Sequence, residues 1–178
     1  MNKVSHFILI LFFMNTPSHT IFDFSKDANI SSWRVVDDVV MGGRSQGNFI
    51  LNKNGNGLFS GKVSLENNGG FSSLRYRFKE IKVSSYTKVV LKVKGDGNPY
   101  QFRIKDSYRN FYSYIKTFNT SKEWELIEIN LSEMYPAFRG RTLAMDNFSS
   151  EIIEEIAILI GNKKEQQFML EIDEIYLK

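Results

Sequence analysis

The feature that most constrains this chain is a series of short runs in which apolar and polar residues alternate, separated by clusters of glycine and asparagine. The clusters are "NKNGNG" at 52–57, "ENNGG" at 66–70 and "KGDGNP" at 94–99. Leu74, Tyr76 and Phe78 alternate with Ser73, Arg75 and Arg77. Val89, Leu91 and Val93 alternate with lysines and Val90, and Tyr100, Phe102 and Ile104 with Gln101, Arg103 and Lys105. Ile127, Ile129 and Leu131 repeat the pattern, as do Phe168, Leu170 and Ile172. A period of two sends successive side chains to opposite faces of a strand. Runs this short, broken by turn residues about every ten positions, predict an antiparallel all-β sandwich or barrel.

Two departures refine that expectation. Residues 152–160 are apolar on both faces after Glu155, as suits a central strand covered on both sides, although the first half, "SSEIIEE", could form a short helical turn. After Ile172 the phase slips, because Ile175 and Leu177 are odd-numbered; one extra residue near Asp173–Glu174, a β-bulge, would absorb the slip. No long amphipathic helix, repeat or linker interrupts the pattern, and 178 residues suit one domain.

Composition removes several kinds of chemistry. There is no cysteine, so disulfides, thiolate metal sites and cysteine nucleophiles are excluded. Both histidines, His6 and His19, fall near the start, so the usual general base and zinc ligand are missing from the body. Residues 1–18 read as a secretory leader: Lys3, then the apolar run "VSHFILILFFM", then "NTPSHT". Eleven residues are too few to span a bilayer as a helix, so no stable membrane span is expected. The expected body is one domain over residues 19–178. Removing the leader takes away Lys3 and no acid, so the formal charge of +3 falls to +2. With no run of five or more like charges, nucleic-acid binding is not expected.

Two longer motifs stand apart from the alternation. "WRVVDDVVMGGRS" occupies 33–45 and "FSGKVSLENNGGFSS" occupies 59–73. Each carries a glycine pair, which lets a chain take positive φ or pass close to another group. Together they resemble the complex I intermediate-associated protein 30 family, through W-x-V-x-D-D-x-V-M-G-G-x-S and F-x-G-x-V-S-L-E-N-N-G-G-F-x-S. "FRGR" at 138–141 and "FMLEIDEIYL" at 168–177 fit the same family, with Gln166 and Gln167 where a glycine is common. The resemblance implies a galactose-binding-like jelly roll. It also implies a non-enzymatic, chaperone-like role in assembling mitochondrial respiratory complex I. An apparent secretory leader departs from the mitochondrial members. The expected location is therefore secreted or periplasmic, with mitochondrial as the alternative in a eukaryote.

Four groups of residues are candidates for function. Asp37 and Asp38 can cap turns or meet a ligand, and adjacent carboxylates on an extended strand point apart. If the two motifs meet, Asp38, Arg44, Asn67 and Asn68 form one polar cluster. Alternatively, the 33–47 stretch is a clasp over one end of the sandwich. Calcium is the one metal its oxygen-bearing loop residues Asp37, Asp38, Asp96, Asn98 and Asp146 could take, but they form no calcium loop, and no metal or cofactor is assigned. Arg75, Arg77, Gln101, Arg103, Lys105, Tyr112, Tyr114 and Lys116 would build a basic, tyrosine-bearing face if their strands are neighbours. Arg139 and Arg141 could close over one edge or pair with the aspartates. The expected function is a binding domain with a protein partner; the alternative is a secreted carbohydrate-binding module. A carboxylate-based hydrolase needs two facing acids at a set distance, and no pattern here places them.

Overall fold

The computed structural model describes residues 17–178; the expected leader lies outside them apart from its last two positions. Among the described residues there are thirteen strands: β1 His19–Asp23, β2 Trp33–Asp37, β3 Gln46–Leu51, β4 Gly57–Val63, β5 Ser72–Lys82, β6 Lys88–Lys94, β7 Tyr100–Lys105, β8 Ser113–Phe118, β9 Trp124–Asn130, β10 Tyr135–Phe138, β11 Arg141–Thr142, β12 Ile152–Ile160 and β13 Gln166–Leu177. They form two sheets. One runs β3-β4-β13-β6-β9, with β1 also on β13, and the other runs β11-β10-β8-β7-β12-β5-β2. Every pairing is antiparallel, which is what alternation over short runs demands.

The alternating residues meet where the sheets face each other. Leu74, Val89, Leu91, Val93, Tyr100, Phe102, Ile104, Leu170 and Ile172 are all buried in one core. β12 lies between β7 and β5 at the heart of its sheet, and from Ile153 onward only Glu154 is not buried. It is strand from Ile152, so the helical alternative for its first half is not realised. In β13 the pairing with β6 shifts between Ile172 and Glu174, the expected bulge at Asp173. The bulge lets Phe168, Leu170 and Ile172 and then Ile175 and Leu177 all reach the same core despite the change of parity.

Five rings tie the sheets together near β2. Trp33 stacks on Tyr76 with centroids 4.7 Å apart, and Phe22 meets Trp33 edge-on at 5.4 Å. Phe24 and Phe49 close the group at 5.4 and 5.6 Å from Trp33. Trp33 and Tyr76 belong to the seven-stranded sheet, whereas Phe22 and Phe49 belong to the other. The opening of the first motif is thus an edge strand with a core anchor.

Candidate functional site

β2 ends at Asp37 and the chain enters a 3₁₀ turn, Asp38–Met41. The turn sends the two carboxylates to different partners. Asp37 Oδ2 accepts the Gly47 N–H at 3.0 Å. Asp38 is 1% exposed, and its carboxylate accepts from Ser45 N–H (3.0 Å), Ser45 Oγ (2.6 Å), Gly70 N–H (2.6 Å) and Phe71 N–H (3.2 Å). Burial opposes ionisation, but the Ser45 hydroxyl and the N–H groups of Gly70, Ser45 and Phe71 outweigh it, so the carboxyl is held below its ordinary range.

Both glycine pairs are explained by this carboxylate. Gly42 has φ 88° and Gly70 φ 138°, both positive. A Cβ on Gly43 would lie 2.2 Å from Asp38 Oδ1, and one on Gly69 would lie 2.6 Å from Oδ2. In each pair one glycine turns the backbone and the other makes room for Asp38. Asn67 donates from Nδ2 to the Gly42 carbonyl at 3.0 Å, and Arg44 pairs with Glu66 at 3.3 Å on the surface. Asp38, Arg44 and Asn67 therefore come together, with Asn68 exposed in the same turn. Asp38 is committed to four protein donors. The exposed side of the clasp is left to Arg44, Asn67 and Asn68.

The basic face takes a different shape from the one expected. β5 and β7 are not neighbours, because β12 lies between them. Register places Arg34, Arg75, Ala157, Arg103, Ile115 and Tyr135 in one row across the outer side of the seven-stranded sheet. Arg77, Glu155 and Lys105 form the next row. Tyr114 and Lys116 sit opposite Ile104 and Phe102, on the core side. Tyr114 is buried there, and Tyr112 packs against the same core. The expectation that Tyr112, Tyr114 and Lys116 join Arg103 on one face is thus corrected. The parity of β8 cannot be read from its sequence, because Tyr114 and Ile115 are adjacent and both buried.

The face carries Arg34, Arg75, Arg77, Arg103 and Lys105 against one carboxylate, Glu155. Glu155 is 3% exposed and pairs with Arg77 Nε at 2.5 Å. Among the described residues, Arg34, Arg75 and Arg103 form no salt bridge. Arg103 bonds Gln101 Oε1 through Nη2 at 2.6 Å, and its buried Nε has no acceptor. Burial, and then the charge of Arg75, push its guanidinium down to about 10. Lys105 is lowered by burial, partly countered by Glu155, and lowered again by the arginines around it. Ser31 and Ser32 complete a pocket of ≈ 350 Å³ with Arg34, Val36, Arg75 and Arg77.

One end of this face is edged with aromatic rings. Residues 106–112 link β7 to β8, and Lys105 Nζ donates to the Asn110 carbonyl there. Arg77 lies over the Tyr108 ring at 5.5 Å. Phe111, 64% exposed, meets Phe138 edge-on at 5.1 Å, and Arg139 covers Phe138 at 5.2 Å. Arg139 and Gly140 are the two-residue loop between paired Phe138 and Arg141, with φ 48° and 76°. A tight hairpin loop needs such positive values. β11 and β2 are opposite edges of the sheet, so Arg139 and Arg141 do not reach Asp37 or Asp38.

Among the described residues, no cluster of three or more His, Cys, Asp or Glu side chains is placed to hold a metal ion. Asp96 is occupied instead by N–H groups of Asn98 and Met169 and by the Tyr100 hydroxyl. Among the described residues no helix is long and apolar enough to cross a membrane. Sequence reasoning missed Arg34, Glu155, Tyr108, Phe111 and Phe138. Parity within "WRVV" could have placed Arg34, had the stretch been read as a strand rather than a connection.

The family model described as Complex I intermediate-associated protein 30 matches residues 22–172. The chain belongs to this family. Relatives include the mitochondrial Complex I intermediate-associated protein 30 of Drosophila melanogaster, 25% identical over 154 residues (74% of this chain, 52% of the relative). The mitochondrial protein of the same name from Mus musculus is 25% identical over 184 aligned residues (88% and 55%). The chain thus spans about half the length of these curated relatives. Among solved structures it resembles the family 11 carbohydrate-binding module of Clostridium thermocellum in complex with a mixed-linked tetrasaccharide. There the TM-score is 0.66 at 18% identity, covering 90% of this chain and 94% of that one. An exo-β-agarase gives 0.58 at 13%, covering 90% and 25%. At such identities the likeness shows the fold, a galactose-binding-like jelly roll, as the sequence resemblance implied.

Proposed function

We infer that this chain is a non-enzymatic, assembly-factor-like binding domain whose partner is a protein. The family supports the assembly-factor reading. The observation that carries the protein partner is the ring-and-arginine edge: exposed Phe111, Phe138 and Tyr108 interleaved with Arg77, Arg109 and Arg139. Arginine and aromatic side chains dominate the residues that anchor protein interfaces. The relatives' mitochondrial names support the mitochondrial alternative for location. The test is capture from native extract by the full chain and by Phe111→Asp, with captured proteins identified by mass spectrometry. A specific partner should be retained by the wild type and lost with Phe111→Asp, whose melting temperature should stay unchanged. Equal capture by both would sink the reading.

The carbohydrate-binding alternative is supported by the fold likeness to a saccharide-bound module. Fold alone does not carry function. The strands of the outer face supply only one ring, half-buried Tyr135, rather than a platform for stacking sugars. A glycan panel without a saturable binder would remove this alternative.

A further inference from the structure

The Arg34–Arg75–Arg103 row is not explained by the fold. Arg34 and Arg75 are directly opposed across β2 and β5, and like charges in that position repel. Arg103 lies in the same row with β12 between it and Arg75, and Ala157 is the small residue separating them. Among the described residues none of the three has a carboxylate partner. Arg103 also holds a buried N–H without an acceptor. Guanidinium groups arranged in this way lack the anions that would offset their repulsion and desolvation.

The spacing indicates what kind of anion fits. Strands lie about 4.8 Å apart, so Arg75 and Arg103, two strands apart, sit about 10 Å from each other. The row from Arg34 to Arg103 covers four strands, about 14 Å, and its three charges exceed the charge of about −1.5 to −2 that one phosphate supplies. In an extended segment of polyproline II form, with three residues per turn, carboxylates three residues apart lie on one side about 9 Å from each other. Ser31 and Ser32 beside Arg34 add hydroxyls at one end of the row. The aromatic edge at Tyr108 and Phe111 lies at the end of the same face, tied to it through Lys105 and Arg77.

We propose that the row Arg34, Arg75 and Arg103 is the docking site for an extended acidic segment of the protein partner, with Asp or Glu at positions three apart. This rests on the protein-partner reading and adds the chemistry that the partner must present.

The test uses the full chain and an end-blocked, fluorescently labelled hexaglutamate peptide, followed by anisotropy. Hexaglutamine, inorganic phosphate and an oligogalacturonate serve as comparisons. Hexaglutamate should bind saturably, bind more weakly as salt rises, and bind at least about tenfold more weakly to Arg75→Gln/Arg103→Gln, each lost charge-assisted contact contributing severalfold. Lys53→Gln/Lys62→Gln, exposed in and beside β4 of the other sheet, should bind as the wild type does. Circular dichroism checks that both variants are folded. Equal affinity for wild type and Arg75→Gln/Arg103→Gln overturns the proposal, as does stronger arginine-dependent binding of phosphate or oligogalacturonate than of the peptide. If Arg75→Gln/Arg103→Gln still captures the extract partner fully, the acidic-segment proposal fails while the protein-partner reading stands. If the peptide binds as expected but no partner is captured, the row still binds acidic chains, while the protein-partner reading, and with it the assignment of the row to that partner, fails.

Discussion

Replacing Asp38 by alanine should collapse the clasp between the two motif loops. The carboxylate takes four hydrogen bonds, three of them from backbone N–H groups of Ser45, Gly70 and Phe71. A hydrogen bond to a charged group contributes about 1.5–3 kcal/mol, and each buried N–H left without a partner costs about 1–3 kcal/mol. These terms overlap, and water can enter part of the vacated space, so the sum is not additive. A net loss of about 3–5 kcal/mol is expected, a large share of a stability on the order of 5–15 kcal/mol. For a domain of this size that lowers the melting temperature by roughly 10–15 °C. Thermal unfolding followed by circular dichroism, with urea titration at 25 °C, measures it.

The pH dependence provides a second arm. Asp38 is held below its ordinary range, so its contribution is present above the unfolded-state value of about 3.9 and is lost as pH falls through the folded-state value. Stability should therefore drop steeply below about pH 4 in the wild type, and less steeply in Asp38→Asn. A loss under about 1 kcal/mol for Asp38→Ala, or a gain, would refute the clasp and indicate a carboxylate kept for a ligand at the expense of stability.

Three further outcomes follow from the same geometry. Gly43→Ala should destabilise the wild type because its Cβ would sit 2.2 Å from Asp38 Oδ1, and much less so in an Asp38→Ala background; a double-mutant cycle in urea measures the coupling. Trp33→Ala removes the 6% exposed ring shared by both sheets and should cost about 3–5 kcal/mol, read from the urea midpoint. Arg103→Met keeps the stem and removes an unpaired, half-buried charge repelled by Arg75, so the melting temperature should rise by roughly 1–3 °C while hexaglutamate binding weakens.

Much of this architecture can be read from the chain, because alternation is a local property. Which residues of β5, β6, β7 and β13 face the core follows from the period of two, and the bulge at Asp173 follows from the change of parity. The covered position of β12 follows from its apolar run. The family motifs identify the two loops that meet, and the glycine pairs show that something must come close to them.

Three things depend on strands distant in sequence. Asp38 is a clasp rather than an exposed acid because Gly70 and Phe71, 32 and 33 residues away, supply its donors. The basic face differs from the expected one because β12 inserts between β5 and β7, and because β8 places Ile115, not Tyr114, beside Arg103. The unpaired arginine row exists only because β2 is an edge strand in register with β5. Local periodicity determines which side of a strand is wet. Only the pairing of strands decides which wet sides meet, because that choice is set by packing across the whole sandwich.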